Sequence, residues 1–154
     1  MSCSNEIVYV KTNSISSDTW NAGSGFQGTY TNVLSSPLKD VTDVEVVTAS
    51  FDASSSASNI AYLLITQFDP VMQRSVTNSN SKINDSFALF NVNQSGRTVF
   101  NQFDFENKVT FNYPVNKVDK LSFRMYDESG ADLATVSNVF ITLKCTTKRE
   151  NLCI

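Results

Sequence analysis

The sequence predicts an all-β protein built as an antiparallel sandwich. Three observations carry this. Val, Ile, Thr, Phe, Tyr and Trp together supply about a third of the 154 residues, and these side chains suit a pleated, half-buried surface. Ala, Leu, Glu, Lys, Gln and Arg, from which long helices are built, are scarce, and no segment keeps a helical apolar period beyond a turn or two. Short apolar runs recur instead, with turn chemistry between them roughly every 10–15 residues.

Taken in order, Glu6–Lys11 (EIVYVK) is a short apolar segment, followed by a Ser, Asn and Gly-rich stretch from Thr12 to Gly28 that holds the one tryptophan, Trp20. Such a stretch reads as a loop or an arm. Thr29–Leu34 is extended, and Ser35-Ser36-Pro37 reads as a turn into Val41–Phe51, where Val44, Val46, Val47, Ala49 and Phe51 supply the apolar side chains. A serine-rich turn from Asp52 to Ser58 leads into Asn59–Phe68, centred on Ile60-Ala-Tyr-Leu-Leu-Ile65. Pro70 to Asp85 is a long polar excursion, after which Ser86–Val92, Arg97–Phe105 and Lys108–Tyr113 read as strands, the last stopped by Pro114. Lys120–Tyr126 alternates Leu121, Phe123 and Met125 against polar neighbours, and Val139–Thr146 alternates Val139, Ile141, Leu143 and Cys145. Asp127-Glu-Ser-Gly130 supplies a turn after the first of these, although a direct hairpin would leave Ala131–Asn138 to be placed.

About eight strands in one chain of this size make a sandwich or barrel. An immunoglobulin-like sandwich calls for a central Trp between paired cysteines, whereas Trp20 lies in a loop that no cysteine pair brackets. The expectation is therefore an eight-stranded antiparallel β-sandwich, a single jelly roll. It divides into residues 1–28 as an arm, or a first strand plus loop, 29–146 as the jelly-roll domain, and 147–154 as a C-terminal tail.

Composition also excludes functions. There is no histidine, which removes His-based triads, HExxH zinc sites and imidazole general bases. Net charge is −3, the pI is near 4.8, and the 12 Lys and Arg are scattered, so direct nucleic-acid binding is not expected. Cys3, Cys145 and Cys153 lack metal-site spacing. Cys145 reads as a core residue, and Cys3 and Cys153 as tail residues able to cross-link subunits. Asp104 and Glu106 share a strand face, but their alternation with Phe103 and Phe105 reads as a solvent face. Asp127 to Asp132 crudely resembles a calcium loop but lacks enough acidic ligands, and Ser54-Ser-Ser56 has no base to activate it. Phe100, Phe103, Phe105, Phe111 and Tyr113 read as core-facing strand residues. No catalytic, metal or cofactor site is expected. No apolar run is long enough to span a bilayer, and Met1–Glu6 shows no secretory leader, which implies synthesis in a cytosol.

Two stretches carry a resemblance. One is Tyr30-Thr-Asn-Val-Leu-Ser-Ser-Pro-Leu-Lys-Asp-Val-Thr-Asp-Val-Glu-Val-Val-Thr-Ala-Ser50. The other is Phe111-Asn-Tyr-Pro114, then Leu121-Ser-Phe-Arg-Met-Tyr-Asp-Glu-Ser-Gly130, then Asn138-Val-Phe-Ile-Thr-Leu143. Over about residues 29 to 145 this order resembles the small single jelly-roll capsid proteins of large icosahedral double-stranded DNA viruses, the penton (vertex) and related minor capsid proteins. The resemblance implies two four-stranded sheets and a non-enzymatic role in the virion. Five copies would close a vertex as a homopentamer against neighbouring major capsid capsomers, after assembly in the host cytoplasm. A Ser, Thr and Asn-rich surface of low charge suits such an extended interface. The tails are the candidate contact segments: Ile7, Val8, Tyr9 and Val10 as an added strand or as the first strand of the fold, and Lys148 and Arg149 beyond the last one. Two rivals remain. One is a minor capsid or cement protein of the same shell. The other is a β-sandwich module that binds carbohydrate or a receptor through exposed aromatics.

Overall fold

A computed structural model describes residues 5–11, 30–52, 58–65, 67–68, 86–103, 107–131, 133 and 136–148. Among them there is no helix, and all seven strands join one antiparallel sheet that curls around a single core. The strands are β1 (Asn5–Lys11), β2 (Tyr30–Asp52), β3 (Ile60–Ile65), β4 (Ala88–Asn91), β5 (Arg97–Asn101), β6 (Lys108–Tyr126) and β7 (Ser137–Lys148). Their order is β1-β7-β2-β6-β3-β4, with β5 also paired to β2. Several expectations fall outside the described residues: the arm around Trp20, Ser54–Ser56, the excursion from Pro70 to Asp85, Asp104, Phe105 and Glu106, Asp132, Cys3, Arg149 and Cys153.

Alternation explains which residues form the core. In β7, Val139, Ile141, Leu143 and Cys145 are all buried while Phe140, Thr142, Lys144 and Thr146 face outward, as a period of two requires. β3 buries Ala61, Leu63 and Ile65, and β5 buries Thr98 and Phe100. An aromatic cluster fills the centre: Phe90 lies 5.1 Å from Phe100 and 5.9 Å from Phe51 between ring centroids, and Phe68 lies 5.3 Å from Phe111. All these rings are tilted, the arrangement their quadrupoles favour.

β2 and β6 correct two of the expected strand ends. Ser35-Ser36-Pro37 does not end a strand, and neither does Pro114. Each proline instead sits where the β2–β6 register shifts. The step from Val33 to Leu38 on β2 is matched by a shorter step from Lys120 to Val118 on β6, so extra backbone bulges around Pro37. From Val41 to Asp43 the imbalance reverses, and the surplus lies on β6 around Pro114. Proline has no N–H for a ladder, and a bulge is the place in a strand that tolerates this. Between the bulges Asp40 has φ 53°, in the left-handed region. That twist lets Leu38 and Val41, three residues apart, both be buried, which strict alternation forbids. β2 thereby turns from one face of the curl to the other: it pairs with β6 from Tyr30 to Glu45 and with β7 from Val41 to Asp52, with Val41–Glu45 held between the two.

The Asp127–Gly130 turn is also not a hairpin turn, because β7 pairs with β1 and β2 and not with β6. The local chemistry is nevertheless that of a turn. Asp127 Oδ1 accepts from the Ser129 N–H (2.9 Å), the Ser129 hydroxyl (2.6 Å) and the Ala131 N–H (3.0 Å), and Gly130 takes φ 85°. Leu133 and Val136, between this turn and β7, are fully buried.

Two side-chain amides continue the ladders where backbone leaves them. Beyond the end of β3, the Ser122 N–H of β6 donates to Gln67 Oε1 (2.7 Å), and Gln67 Nε2 donates to the Ser122 hydroxyl (3.1 Å). Asn107 is buried and does the same for β4: its Nδ2 donates to Leu89 O (3.1 Å) and its Oδ1 accepts from the Leu89 N–H (3.4 Å). Its own carbonyl accepts from the Val46 N–H (2.9 Å), so Asn107 ties β4 to β2.

Candidate interaction surface

The expected contact segment lies in β1. Ile7, Val8, Tyr9 and Val10 pair antiparallel with Thr146, Cys145, Lys144 and Leu143 of the same chain, so these residues serve as the outermost strand of the sheet. Alternation then divides their roles. Val10 is buried and Val8 packs against the core, while Ile7 and Tyr9 point outward and are 52% and 55% exposed. Lys148 ends β7 opposite Asn5 and is exposed. Thr147, placed in the tail by the sequence, is buried in β7 and donates its hydroxyl to Glu6 O (3.3 Å). Among the described residues β1 pairs on one side only.

β5 stands off the main path of the sheet and, among the described residues, pairs only with the C-terminal part of β2. Here Thr98 and Phe100 turn inward, and Arg97 and Val99 turn outward, Val99 being 71% exposed. Across the outer face Phe140 of β7, Ser50 of β2 and Val99 of β5 occupy one row. The Arg97 guanidinium stacks 5.5 Å from the Phe140 ring centroid and donates to the Ser50 hydroxyl and to Asn138 O. Sequence reasoning did not single out Val99, although the alternation of Thr98 and Phe100 carries the signal.

The expected aromatic strip divides in two. Phe100 and Phe111 are core residues as expected, but Phe103 and Tyr113 are 87% and 82% exposed. Alternation fails at Phe103 because β5 has ended. The Gln102 N–H donates to Val47 O (2.9 Å), and the Phe103 N–H donates to Asn101 Oδ1 (3.0 Å), turning the chain outward. Tyr113 sits in the bulge next to Pro114.

At one end of the sheet three connections meet through polar side chains. Ser58, before β3, donates to Ile60 O (2.6 Å) and accepts from the Glu128 N–H after β6 (3.1 Å). Gln94, between β4 and β5, donates through Nε2 to Ser58 O (3.0 Å) and Asn59 Oδ1 (3.2 Å). This network is structural, since the Glu128 and Gln94 contacts each join two parts of the chain. Cys145 is fully buried, and that burial, aided by the nearby Asp43 carboxylate, pushes its thiol up to about 12 from 9.0. No group of three or more acidic or thiol side chains among the described residues is placed to hold a metal ion. No helix among them is long and apolar enough to cross a membrane.

Comparison of the chain with protein-family models and with curated proteins returns no match.

Proposed function

We propose that this chain is a structural shell protein, a single jelly-roll penton that closes the five-fold vertex of an icosahedral virus as a homopentamer among neighbouring capsomers. It acts without catalysis, assembling in the host cytoplasm and residing in the virion. The observation that supports this is the order of strand pairing. If β2 is divided at Asp40 and β6 at its bulge near Pro114, eight of the nine segments fall into two sets of four by their pairings, the ninth being the first part of β6, whose Lys108–Thr110 pairs with Asp43–Glu45 in the second part of β2. One is β1, β7, the second part of β2, and β5; the other is the first part of β2, the second part of β6, β3 and β4. A jelly roll interleaves its eight strands in this order, and each divided strand would be the corner where the chain passes between sheets. The meeting of the connections before β3, after β4 and after β6 fits the same arrangement.

A ring of five needs two different flanks that fit one another. The test is the native mass of the purified chain by light scattering across concentration and salt. Five chains of 17.0 kDa give about 85 kDa. That species is expected at high protein concentration, and its presence at the vertices of assembled particles completes the case. A chain that stays monomeric or trimeric, both alone and with its capsomers, overturns the penton reading and favours a cement protein of the same shell.

A further inference from the structure

We infer that adjacent copies of this chain join edge to edge, with β5 of one copy paired to β1 of the next in a single register that sets Val99 opposite Ile7. The inference rests on the ring proposed above and assigns the contact that closes it.

The two edges fit by direction. β1 runs antiparallel to β7, β7 to β2, and β2 to β5, so β1 and β5 point in opposite senses across the four strands. Among the described residues each of these two pairs on one side only. A second copy added in the same orientation therefore brings its β1 antiparallel to β5, and the ladder continues without a break in alternation. An interface of this kind joins unlike edges, as a closed ring requires.

The edges also fit by face. On the outer face β1 presents Asn5, Ile7, Tyr9 and Lys11, and β5 presents Arg97, Val99 and Asn101. The half-exposed Ile7 and Tyr9 and the exposed Val99 thus stand on the two edges to be joined. Opposed residues must share a face, so shifts of one residue are forbidden and only steps of two remain. Placing Val99 against Tyr9 sets Arg97 directly against Lys11, two like charges. Placing Val99 against Asn5 leaves Tyr9 uncovered and Asn101 beyond the end of β1. Placing Val99 against Ile7 sets apolar against apolar, Arg97 against the Tyr9 ring and Asn101 against Asn5, with no like charges opposed. On the inner face Thr98 then meets Val8, and Phe100 meets the stem of Glu6.

The competing occupant of the β1 edge is β1 of a second copy, paired about Val8 with Ile7 opposite Tyr9. That pairing closes a dimer and stops.

The test uses the full chain with Cys3→Ser and Cys153→Ser, Cys145 being buried, and adds Ile7→Cys and Val99→Cys together. Directly opposed antiparallel positions come close enough for a disulfide. Copper-phenanthroline oxidation is expected to give a ladder of covalent species on a non-reducing gel, ending at the pentamer. The Tyr9→Cys, Val99→Cys pair should link at least about tenfold less, because its register opposes Arg97 to Lys11. Equal linking by both pairs, or covalent dimers from an Ile7→Cys, Tyr9→Cys pair as abundant as the ladder, overturns the register. Native mass measured before oxidation separates the two readings: a pentamer without a ladder overturns this edge pairing and leaves the ring standing, whereas a monomer without a ladder, both alone and with its capsomers, overturns both. All three positions are exposed. A Cys145 thiol that stays blocked to reagent without denaturant shows that each variant has folded.

Discussion

Replacing Asn107 by Ala tests the idea that a side chain holds β4 in place. β4 is only four residues long and, among the described residues, pairs with β3 alone; on its other side Leu89 finds its partner in the Asn107 amide. The substitution removes two hydrogen bonds and leaves the half-buried Leu89 N–H and C=O without that partner. A net hydrogen bond contributes about 0.5–1.5 kcal/mol, and stranding a buried polar group costs about 1–3 kcal/mol. The 3.4 Å bond is long and counts for little, so the expected loss is about 2 kcal/mol, dominated by the 3.1 Å bond and the stranded carbonyl. With a urea slope of about 2 kcal/mol/M, the denaturation midpoint falls by about 1 M at unchanged slope. Asn107→Asp sharpens the test. It keeps an acceptor for the Leu89 N–H but turns a carboxylate toward the Leu89 carbonyl, so at neutral pH it should be at least as damaging as Ala. Protonation restores a donor, and the gap to wild type should narrow as the pH falls. An Asn107→Ala loss below about 0.5 kcal/mol, the level of an ordinary surface substitution, would refute the reasoning.

Two further predictions address the core. Phe90→Ala empties the contact with Phe51 and Phe100 and should cost about 3–5 kcal/mol, read as a midpoint shift in the same titration. Cys145 should resist thiol reagents until the protein unfolds. Because its folded pKa is raised to about 12 from 9.0, the unfolded chain ionises first: the contribution is fully present below pH 9, and stability should decline between pH 9 and 12. Cys145→Ala should flatten that decline, and an unchanged slope would argue against it.

The parts of the fold legible in the sequence were those that repeat. β7 could be read from Val139, Ile141, Leu143 and Cys145, and β3 from its apolar run, because burial on one face leaves a period of two. The strand breaks placed at Pro37 and Pro114 were not breaks. A proline marks a missing ladder donor, and whether the chain turns or bulges there depends on partner residues some eighty positions away. Gln67 and Asn107 had no signal at all, since an amide standing in for a peptide group belongs to no periodic pattern. On the surface, Ile7 and Tyr9 follow from alternation along β1. Phe103 does not, because its exposure depends on where β5 stops.

The position of β7 between β1 and β2 has a consequence during synthesis. β1 is made before the other described strands, yet its only partner among the described residues is β7, the last strand of the seven. At about 5–20 residues per second, β1 waits on the order of ten seconds on the ribosome with Val8 and Val10 uncovered. The sheet therefore completes after translation of β7, in one late step of high contact order. Through that delay the serine, threonine and asparagine that fill so much of the chain have a second use, in keeping a nascent chain with open strand edges from pairing with its neighbours on a polysome.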